Sequence, residues 1–595
     1  MFPKDIFAYI TQQENEYQSG GITIGDNWTW SMRNHVQLIF HLTNGVFFTG
    51  KNDWSRAFKN IIEPIIDLAN WTEDLEVKDI VFYIETSNGR VLSFLIKKYH
   101  DEVYAKEHDL DALLDEITES DNVYGGVLID TSQKKERPKS LDLISIAFCD
   151  QTDIVGGPIG FKLFFSPSKL KKMEKNGWGK AENGATGTIG ELIKLATFDK
   201  DAKGGMKGNI EVYLIRGPLA KGYLEDTDEL SDTENVLFIV AFYYDTNKKR
   251  QGYILYRKPE NKSTLKFFTS KEVVGRALGR GVGEQILHPQ IWTNFLEIHK
   301  QKLLESGAKV PLATDDETYT NRQQVQDMEN LEVTTVADGK RLWQIPTAAP
   351  ANIRLFQDAV NQWFEHAQYA GAAFDPLMGK EPPSGTTFRG QERVVAQGRG
   401  PHDRKRGKRA KFVESIYRED IIPQIKHELL GGKKFLATLT FEEMQWVTEQ
   451  LAENYANREQ MEDVLNGADL RDKEELKREF MVQSQKIGNK WLITILKEEF
   501  KDVEIKMGIN IAGKQKNLAG LSDKILSIFQ MVFSNPQAFQ QSMQIPALAK
   551  AFNDILEFSG ISQINFSTLM AAPIQSPIQS VGEAPELQLN ETPNE

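Results

Sequence analysis

The stretch ANIRLFQDAVNQWFEHAQYAG, residues 351–371, decides the fold prediction because its apolar side chains recur at alternating spacings of three and four. This period places them on one face of a helix. The positions are Ile353, Phe356, Val360, Trp363 and Ala367. A helix with one apolar face packs against other apolar surface, so its partner is sought in the flanking sequence.

A matching helix is predicted upstream, in HPQIWTNFLEIHKQKLLESGA, residues 288–308. Pro289 suits its first turn, where a backbone N–H is not needed. Its apolar face is formed by Leu287, Ile291, Phe295 and Ile298. Between the two helices, LEVTTVADGKRLWQIPT (331–347) has strand composition and an Asp-Gly pair typical of a hairpin turn. The sequence therefore predicts two helices that flank a small β module.

The N-terminal part of the chain, residues 1–270, has the pattern of mixed helix and strand. Its clearest element is a hairpin at 235–258, where two β-rich runs flank an Asp-Thr-Asn turn. Further elements are predicted as helices at 56–70 and 109–120 and strands at 77–86 and 124–130. The C-terminal third is predicted to have helices at 440–455, 472–488 and 521–536 and a strand at 502–513. The last 25 residues are Pro-rich and polar, which predicts disorder.

Positive charge accumulates after the second helix. The loop sequence MGKEPPSGTTFRGQER (378–393) leads into a stretch from Arg389 to Lys411 that holds nine cations and two acids. The local net charge of +7 contrasts with −13 for the whole chain. A third helical region is predicted here, extending to about residue 430, with an interruption at 398–401 because glycine and Pro401 disfavour a helix interior.

Two interpretations of this basic stretch remain open. In one, a solvated helix face pairs with acidic regions of the same or a neighbouring subunit. In the other, the cations contact phosphates in a salt-sensitive way and without reading sequence, because no base-reading motif is present. The first candidates for DNA contact are Lys380, Arg389 and Arg393, near the loop. The second group is Arg399, Arg404, Lys405, Arg406, Lys408, Arg409 and Lys411.

Composition excludes several classes of protein. The 595 residues, 40% hydrophobic and 26% charged, correspond to roughly three or four globular domains. A net charge of −13 argues against a protein that coats nucleic acid. The single cysteine, Cys149, excludes an intramolecular disulfide and a cysteine-based zinc site and indicates a reducing compartment. The N-terminus lacks a signal-peptide pattern, and the longest apolar run, 236–244, is too short to span a membrane, so no membrane partner is expected.

The best enzymatic lead is Gly508–Gln515, which matches a phosphate-binding loop through its lysine but has Gln515 where a Ser or Thr must reach Mg²⁺. DKDAKG (199–204) is similar to a calcium loop, yet Lys203 occupies a ligand position. The histidines form no zinc-binding HExxH motif, and Cys149 follows an apolar run, as small core residues do. The sequence therefore predicts no catalysis, no metal site and no cofactor.

Seven phrases carry a resemblance to a known family through their order along the chain. They are RAFKNIIEPIIDLA (56–69), YGGVLID (124–130), SIAFCDQTDIVGGPIG (145–160), GRGVGEQILHPQIWTN (279–294), GKEPPSGTTFR (379–389), GRGPHDRKRGKRAKFVESIYREDIIP (398–423) and INIAGKQKN (509–517). Together with the order of helix, β module, returning helix, loop and long helix, they resemble the portal proteins of tailed double-stranded DNA bacteriophages. The resemblance covers most of residues 50–560, and several phrases are similar to portals of phages with Bacteroidetes-type hosts.

The resemblance implies an α+β portal fold with a mixed α/β wing, a helical stem, a small β clip and a helical crown, assembled as a ring. Carried onto this chain, the parts are the wing at 1–278, the stem helix at 279–307, the clip at 308–349, the returning stem helix at 350–372, the tunnel loop at 373–386, the long helix and second part of the wing at 387–513, the crown at 514–565 and a disordered tail at 566–595. Each stem helix of such a ring turns one face toward a neighbour, so an isolated subunit is expected to look incompletely covered.

The family further implies a ring, expected to be a dodecamer, at the unique capsid vertex of a virion assembled in the host cytoplasm. DNA is pumped through its channel by a separate terminase ATPase during packaging and passes through the same channel during ejection. The expected partners are other copies of this chain, the major capsid protein, the terminase large subunit, head-to-tail adaptor or tail proteins, and double-stranded DNA held transiently. Two alternatives remain: a nucleotide-dependent nucleic-acid enzyme that uses Gly508–Lys514, and another structural virion protein of a tail or baseplate.

Overall fold

The computed structural model describes a large part of the chain. The described residues are 5–46, 57–84, 89–132, 137–196, 209–225, 232–244, 249–260, 264–307, 312–315, 340–344, 350–379, 388–431, 439–467, 469–487 and 505–509. The chain divides into two compact units, Met1–Ile511 and Ala512–Glu595. Several predictions therefore lie outside the described residues: the calcium-like segment 199–204, the helix at 521–536, the crown at 514–565 and the tail at 566–595.

The N-terminal part mixes helices and strands, as predicted. Its helices are α1 (Ile6–Ser19), α2 (Met32–Thr43), α3 (Ile62–Glu73), α4 (Gly89–Tyr99), α5 (Ala105–His108), α6 (Leu110–Tyr124), α7 (Pro167–Lys172), α8 (Ile189–Ala196), α9 (Gly222–Glu225) and α10 (Val282–Gln285). Its strands are β1 (Ile22–Ile24), β2 (Trp28–Trp30), β3 (Ile80–Ile84), β4 (Val127–Asp130), β5 (Lys139–Leu141), β6 (Ile146–Phe148), β7 (Ile159–Phe165), β8 (Ile210–Ala220), β9 (Thr233–Tyr244), β10 (Arg250–Pro259) and β11 (Leu265–Phe268).

The C-terminal part is mainly helical. Its elements are α11 (Leu287–Gly307), β12 (Leu312–Thr314), β13 (Leu342–Gln344), α12 (Pro350–Ala370), α13 (Phe388–Ile416), α14 (Ile422–Gly431), α15 (Phe441–Leu465), α16 (Lys473–Ile487) and β14 (Ile505–Ile509). One π-helical turn, Tyr417–Ile421, joins α13 to α14. Helix α15 begins with a capping box in which Thr440 and Glu443 exchange side-chain and backbone hydrogen bonds, so its start is encoded locally.

The largest sheet is antiparallel and has the strand order β10-β9-β8-β7-β6. The predicted hairpin at 235–258 is confirmed, because β9 and β10 pair in antiparallel register. Alternate side chains enter different cores: Tyr213 and Val240 pack on the α1 side, whereas Val212 and Ala241 pack with Leu170 of α7. This alternation is the period-2 pattern of a strand covered on both faces.

A second core joins distant parts of the chain. Strand β14 pairs antiparallel with β3, which confirms the predicted strand at 502–513 over Ile505–Ile509. Buried side chains of α4, α6, α13 and α15 pack around this strand pair. Helix α13, which carries most of the predicted DNA-contact residues, is thereby held against this core through Ala410, Val413 and Ile416.

Helices α11 and α12 confirm the two helices predicted around the β module, and they lie antiparallel. Trp292 stacks on Trp363 with ring centroids 6.1 Å apart, and His299 stacks on Phe356 at 6.5 Å. Strands β12 and β13 pair antiparallel between the helices in sequence. The Asp-Gly turn predicted within 331–347 lies outside the described residues.

The break predicted at 398–401 does not occur, because α13 is continuous from Phe388 to Ile416 and contains Pro401; a kink at this position stays a prediction. Proline cannot donate a hydrogen bond to the carbonyl of Gln397 four residues earlier. Both residues are exposed, so water can satisfy that carbonyl. The buried side chains of the same helix hold it against the protein on the C-terminal side of the proline, and tertiary contacts thus outweigh the local helix propensity.

Candidate nucleic-acid interface

The basic residues of α13 are divided between two faces of the helix by its 3.6-residue period. His402, Arg406 and Arg409 are spaced by four and three and form one stripe, here called the inner stripe. Only 1% of His402, 1% of Arg406 and 0% of Arg409 is exposed. Charged side chains are rarely buried to this degree unless they are paired, so the partners of the inner stripe explain its position.

Arg409 is the centre of a buried ion cluster. Its Nη2 donates to Glu73 Oε2 at 3.1 Å and to Asp121 Oδ2 at 2.7 Å, and its Nη1 donates to the Glu73 backbone carbonyl at 3.3 Å. Asp121 in turn accepts from the backbone N–H of Ser270 at 3.1 Å. One guanidinium therefore ties α13 to the end of α3, to α6 and to the segment after β11.

Two further cations of α13 also pair within the chain. The Nη2 of Arg406 lies 3.2 Å from Asp79 Oδ2, and both side chains are buried. The Nζ of Lys405 lies 3.3 Å from Glu73 Oε1, with its side chain 17% exposed. These contacts satisfy the carboxylates at the start of β3 and at the end of α3, so the cations serve the fold.

His402 links the same cluster to the turn that follows α12. Its Nδ1 lies 2.7 Å from Glu73 Oε1 and its Nε2 lies 3.0 Å from the backbone carbonyl of Ala372. Both partners are hydrogen-bond acceptors, and each ring nitrogen of His402 faces one of them. Ala372 has a φ of 55°, in the left-handed region that a residue with a Cβ seldom adopts. The histidine thus holds a strained turn directly before the predicted tunnel loop, residues 373–386.

The electrostatics of the cluster are dominated by Glu73. Burial by itself would raise the pKa of this carboxyl group, but the hydrogen bond from His402 and the charges of Arg409 and Lys405 outweigh burial and lower its pKa to about 2. Glu73 is therefore ionised at neutral pH although none of its side chain is exposed. Its negative charge compensates the cations that converge on it.

These contacts correct the DNA-contact prediction at Arg406 and Arg409. Both guanidinium groups are buried and paired with carboxylates of the same chain, so neither is at the surface where a phosphate could reach it. Of the two interpretations left open by the sequence, pairing with acidic residues of the same subunit applies to these side chains. The pairs are buried, however, and do not lie on a solvated face.

The exposed cations of the helix form a second stripe, Arg404, Lys408 and Lys411, here called the outer stripe. Lys408 donates from Nζ to the carbonyl of Ser270 at 2.7 Å, and Lys408 and Lys411 line an open hollow next to Phe268. The outer stripe keeps its cations accessible, and phosphate contact stays a prediction for these three residues. The sequence could have separated the two stripes only if the buried face of the helix had been known.

Four candidates for DNA contact remain: Lys380, Arg389, Arg393 and Arg399. Lys380 lies outside the described residues, and Arg389 and Arg393 belong to α13 without a described side chain. Arg399 is half-buried. DNA contact by Lys380, Arg389 and Arg393 therefore stays a prediction.

The helix pair α11 and α12 exposes apolar side chains. The exposed fractions are 49% for Trp292, 67% for Leu355 and 74% for Tyr369, and Phe295 and Leu304 are also exposed. These exposed apolar side chains lie on two adjacent helices and are a candidate contact surface. The apolar face predicted for α12 is nevertheless its less exposed side, with Val360 and Ala367 buried.

The buried face of α11 is polar, which was not predicted from the sequence. Gln290 accepts from the backbone N–H groups of Ile61 and Ile62 at 2.8 and 2.9 Å and donates to the carbonyl of Lys59 at 2.8 Å. Asn294 accepts from the N–H of Lys59 at 3.1 Å. Gln290 thereby caps α3, whose N-terminus has no side-chain cap of its own. The i, i+4 spacing of these amides was a visible signal of a shared face.

The other chemical leads do not form a site among the described residues. Burial raises the pKa of the Cys149 thiol to about 12, so it is not a thiolate at neutral pH. No group of three metal-ligating side chains occurs in the described part of the chain. Within the same ranges, none of the helices has the length and apolar character that a membrane crossing requires. Gly508 lies inside the β3–β14 pair, and residues 510–515 of the phosphate-loop match lie outside the described ranges.

Comparison with known proteins identifies no family by sequence. No protein-family model and no curated protein matches the chain. Among solved structures, the chain is similar to a component of the virion of a native gene transfer agent particle, with 8% identity, a TM-score of 0.33, and coverage of 93% of this chain and 100% of that chain. A component of the neck of an empty gene transfer agent particle has 8% identity, a TM-score of 0.32, and coverage of 78% and 100%. Likeness at this level carries no argument about fold or function.

Proposed function

We propose that this chain is a phage-type portal protein: a non-enzymatic subunit of a ring through which double-stranded DNA is packaged into a capsid and later ejected. The observation that carries the proposal is the helix pair α11 and α12. Its buried side chains include amides such as Gln290 and Asn294, whereas Trp292, Leu355 and Tyr369 are exposed. Buried amides and apolar side chains together hold the pair to its own subunit, and the exposed apolar residues remain for a neighbour.

A ring follows from such a surface if it meets a different surface of the next copy. A head-to-tail contact of this kind closes when the rotation between copies divides a full turn evenly. Each copy would then cover the exposed aromatic residues of its neighbour. The antiparallel helices and the short strands β12 and β13 between them support the stem and clip assignment that the sequence resemblance implies.

The charge distribution supports transient contact with DNA. A chain with net charge −13 does not hold DNA tightly, because each phosphate contact needs an accessible cation. Arg406 and Arg409 of the inner stripe form ion pairs with Glu73, Asp79 and Asp121. The outer stripe and the candidates near the loop, Lys380, Arg389 and Arg393, therefore remain for contact with DNA. The proposed partners are other copies of this chain, a terminase, a capsid protein and an adaptor, in a virion.

Ring formation is the test of this proposal. The purified full-length chain should form rings with a central hole in negative-stain images, and class averages should show a rotational symmetry near twelvefold. The double substitution Leu304→Glu and Leu355→Glu should abolish rings, because it places carboxylates in the proposed contact while both positions are exposed in the single subunit. Phe441→Glu, at an 85% exposed position on α15, is the control that should still form rings.

Other outcomes would contradict the proposal. Monomers at all protein concentrations would remove it, and sixfold plates would favour a tail or baseplate component. ATP hydrolysis by the purified chain that is abolished in Lys514→Ala would favour the nucleotide-dependent enzyme. Rings that form equally well in the double variant would show that the helix pair is not the contact between subunits.

A further inference from the structure

A second basic surface lies far from α13 in sequence. The segment from Lys169 to Lys180 spans the end of α7, the 3₁₀ turn Met173–Asn176 and the loop after it. It holds five lysines, here called the lysine surface: Lys169, Lys171, Lys172, Lys175 and Lys180. All five are exposed, and Glu174 is the one acid between them, so the local net charge is +4 in a chain of −13.

The lysine surface differs from α13 in how its charge is balanced. None of its five lysines forms an ion pair within the part of the chain that the structure describes. Lys169 instead lies over the ring of Phe165, with its Nζ 4.7 Å from the ring centroid. On α13, by contrast, Arg406 and Arg409 have carboxylate partners. Five like charges in a short segment repel one another, so an external polyanion would stabilise them.

The backbone under these lysines is held firmly. Leu170 is completely buried, and Trp178 packs against Phe165 with ring centroids 5.8 Å apart. Gly177 and Gly179 have φ values of 86° and 74°, which only glycine adopts without strain. The N–H of Gly179 donates to the carbonyl of Leu255 in β10 at 2.8 Å. The backbone that carries these lysines is therefore held against the five-stranded sheet. Because it is already ordered, little backbone entropy is lost on binding.

We propose that the lysine surface is a contact site for the phosphate backbone of double-stranded DNA, separate from α13. Recognition of carboxylates or of base edges favours the planar fork of arginine. The cations of this surface are all lysines, and a lysine is a point charge without directional pairing. Such chemistry attracts a row of phosphates without reading sequence and releases counterions on binding. An acidic surface of a second copy of the chain is the competing partner.

The test measures binding of a fluorescent DNA duplex of about 30 base pairs. Fluorescence anisotropy gives its Kd at salt concentrations between about 50 and 200 mM. The probe variant combines Lys169→Gln, Lys171→Gln, Lys172→Gln and Lys175→Gln. The control variant combines substitutions of four lysines elsewhere to Gln and has the same net charge: Lys78, Lys139, Lys221 and Lys249. A third variant replaces the four probe lysines by Arg.

The probe variant should bind the duplex at least about tenfold more weakly, and its slope of log Kd against log salt should fall by about 0.9 for each phosphate that the variant no longer neutralises. The control variant and the Arg variant should bind like the unmodified chain. Equal binding by probe and control variants would overturn the proposal. Failure of the probe variant to self-associate, with duplex binding unchanged, would also overturn it and assign the surface to a second copy of the chain.

The outcome is independent of the ring test. The probe variant should still form rings if the chain is a portal, because the substituted lysines are not on α11 or α12. A chain that binds the duplex through these lysines without forming rings would retain the DNA site and lose the portal function. Circular dichroism and urea unfolding of the probe variant and the Arg variant should match those of the unmodified chain, since the four substituted side chains are exposed.

Discussion

Helix α13 and the helix pair α11/α12 both invert the usual distribution of residues, but in opposite ways. Helix α13 buries charge: Arg406 and Arg409 are enclosed by the protein. The helix pair exposes apolar surface, including Trp292 and Tyr369. Buried charge is stable only when it is paired, and each of the two α13 arginines has its carboxylate within the same chain.

The comparison separates residues that hold the fold together from the surface that we propose for assembly. In α13 the unusual residues are satisfied by the subunit itself, so their role is to hold the fold together. In the helix pair the unusual residues are exposed within the described part of the chain, which fits the contact between subunits that we propose. Substitutions in α13 should therefore change the free energy of unfolding, and substitutions of exposed residues in the helix pair should change association.

The largest effect is expected for Arg409→Ala. Removing this guanidinium leaves Glu73 and Asp121 buried without their main counter-charge, which should lower the free energy of unfolding by about 3–5 kcal/mol. Urea unfolding followed by tryptophan fluorescence measures the change. Arg404→Ala, on the exposed face of the same helix, is the matched control and should change the free energy by less than about 0.5 kcal/mol. Similar values for the two variants would contradict the division into stripes.

The next largest effect is a dependence of the free energy of unfolding on pH, caused by the carboxyl group of Glu73. Its pKa is lowered from 4.5 in the unfolded reference to about 2 in the folded chain. The stabilisation is therefore complete above about pH 4.5 and is lost as the pH falls through about 2, and a shift of this size corresponds to about 3 kcal/mol.

Comparison of the unmodified chain with Glu73→Gln over pH 7 to about pH 2 measures this contribution. The difference in the free energy of unfolding should be greatest at neutral pH and should shrink toward the acid end. Glu479→Gln, at an exposed position on α16, should follow the unmodified chain at every pH. A constant difference between Glu73→Gln and the unmodified chain would mean that the carboxyl group does not titrate in this range.

The smallest effect is expected in the helix pair itself. Gln290→Leu leaves two buried N–H groups and one carbonyl of residues 59–62 without partners, which should cost about 1–3 kcal/mol. Leu355→Gln, at a 67% exposed position of α12, should cost less than about 0.5 kcal/mol. A larger decrease in unfolding free energy for Leu355→Gln than for Gln290→Leu would reverse the assignment of internal and external faces.

Much of the fold was predictable where the signal is local. The helices at 288–308 and 351–371 and the hairpin at 235–258 follow from side-chain periods of 3.6 and 2, which do not depend on distant residues. The pairing of β14 with β3 was not predictable, because the two strands are far apart in sequence and no local pattern selects them. The continuity of α13 through Pro401 was missed for the same reason: contacts from other elements hold the helix.

The candidate site was only partly predictable. The sequence alone determined that the chain carries a basic helix after two amphipathic helices, because residue type and spacing are properties of the chain itself. Only the tertiary structure decided which cations are accessible. Glu73, Asp79 and Asp121 come from other elements of the fold. Because they lie on one side of α13, Arg406 and Arg409 form buried ion pairs and His402 forms a buried hydrogen bond instead of facing solvent. Burial is a property of what packs against a residue, and the sequence of one helix does not contain it.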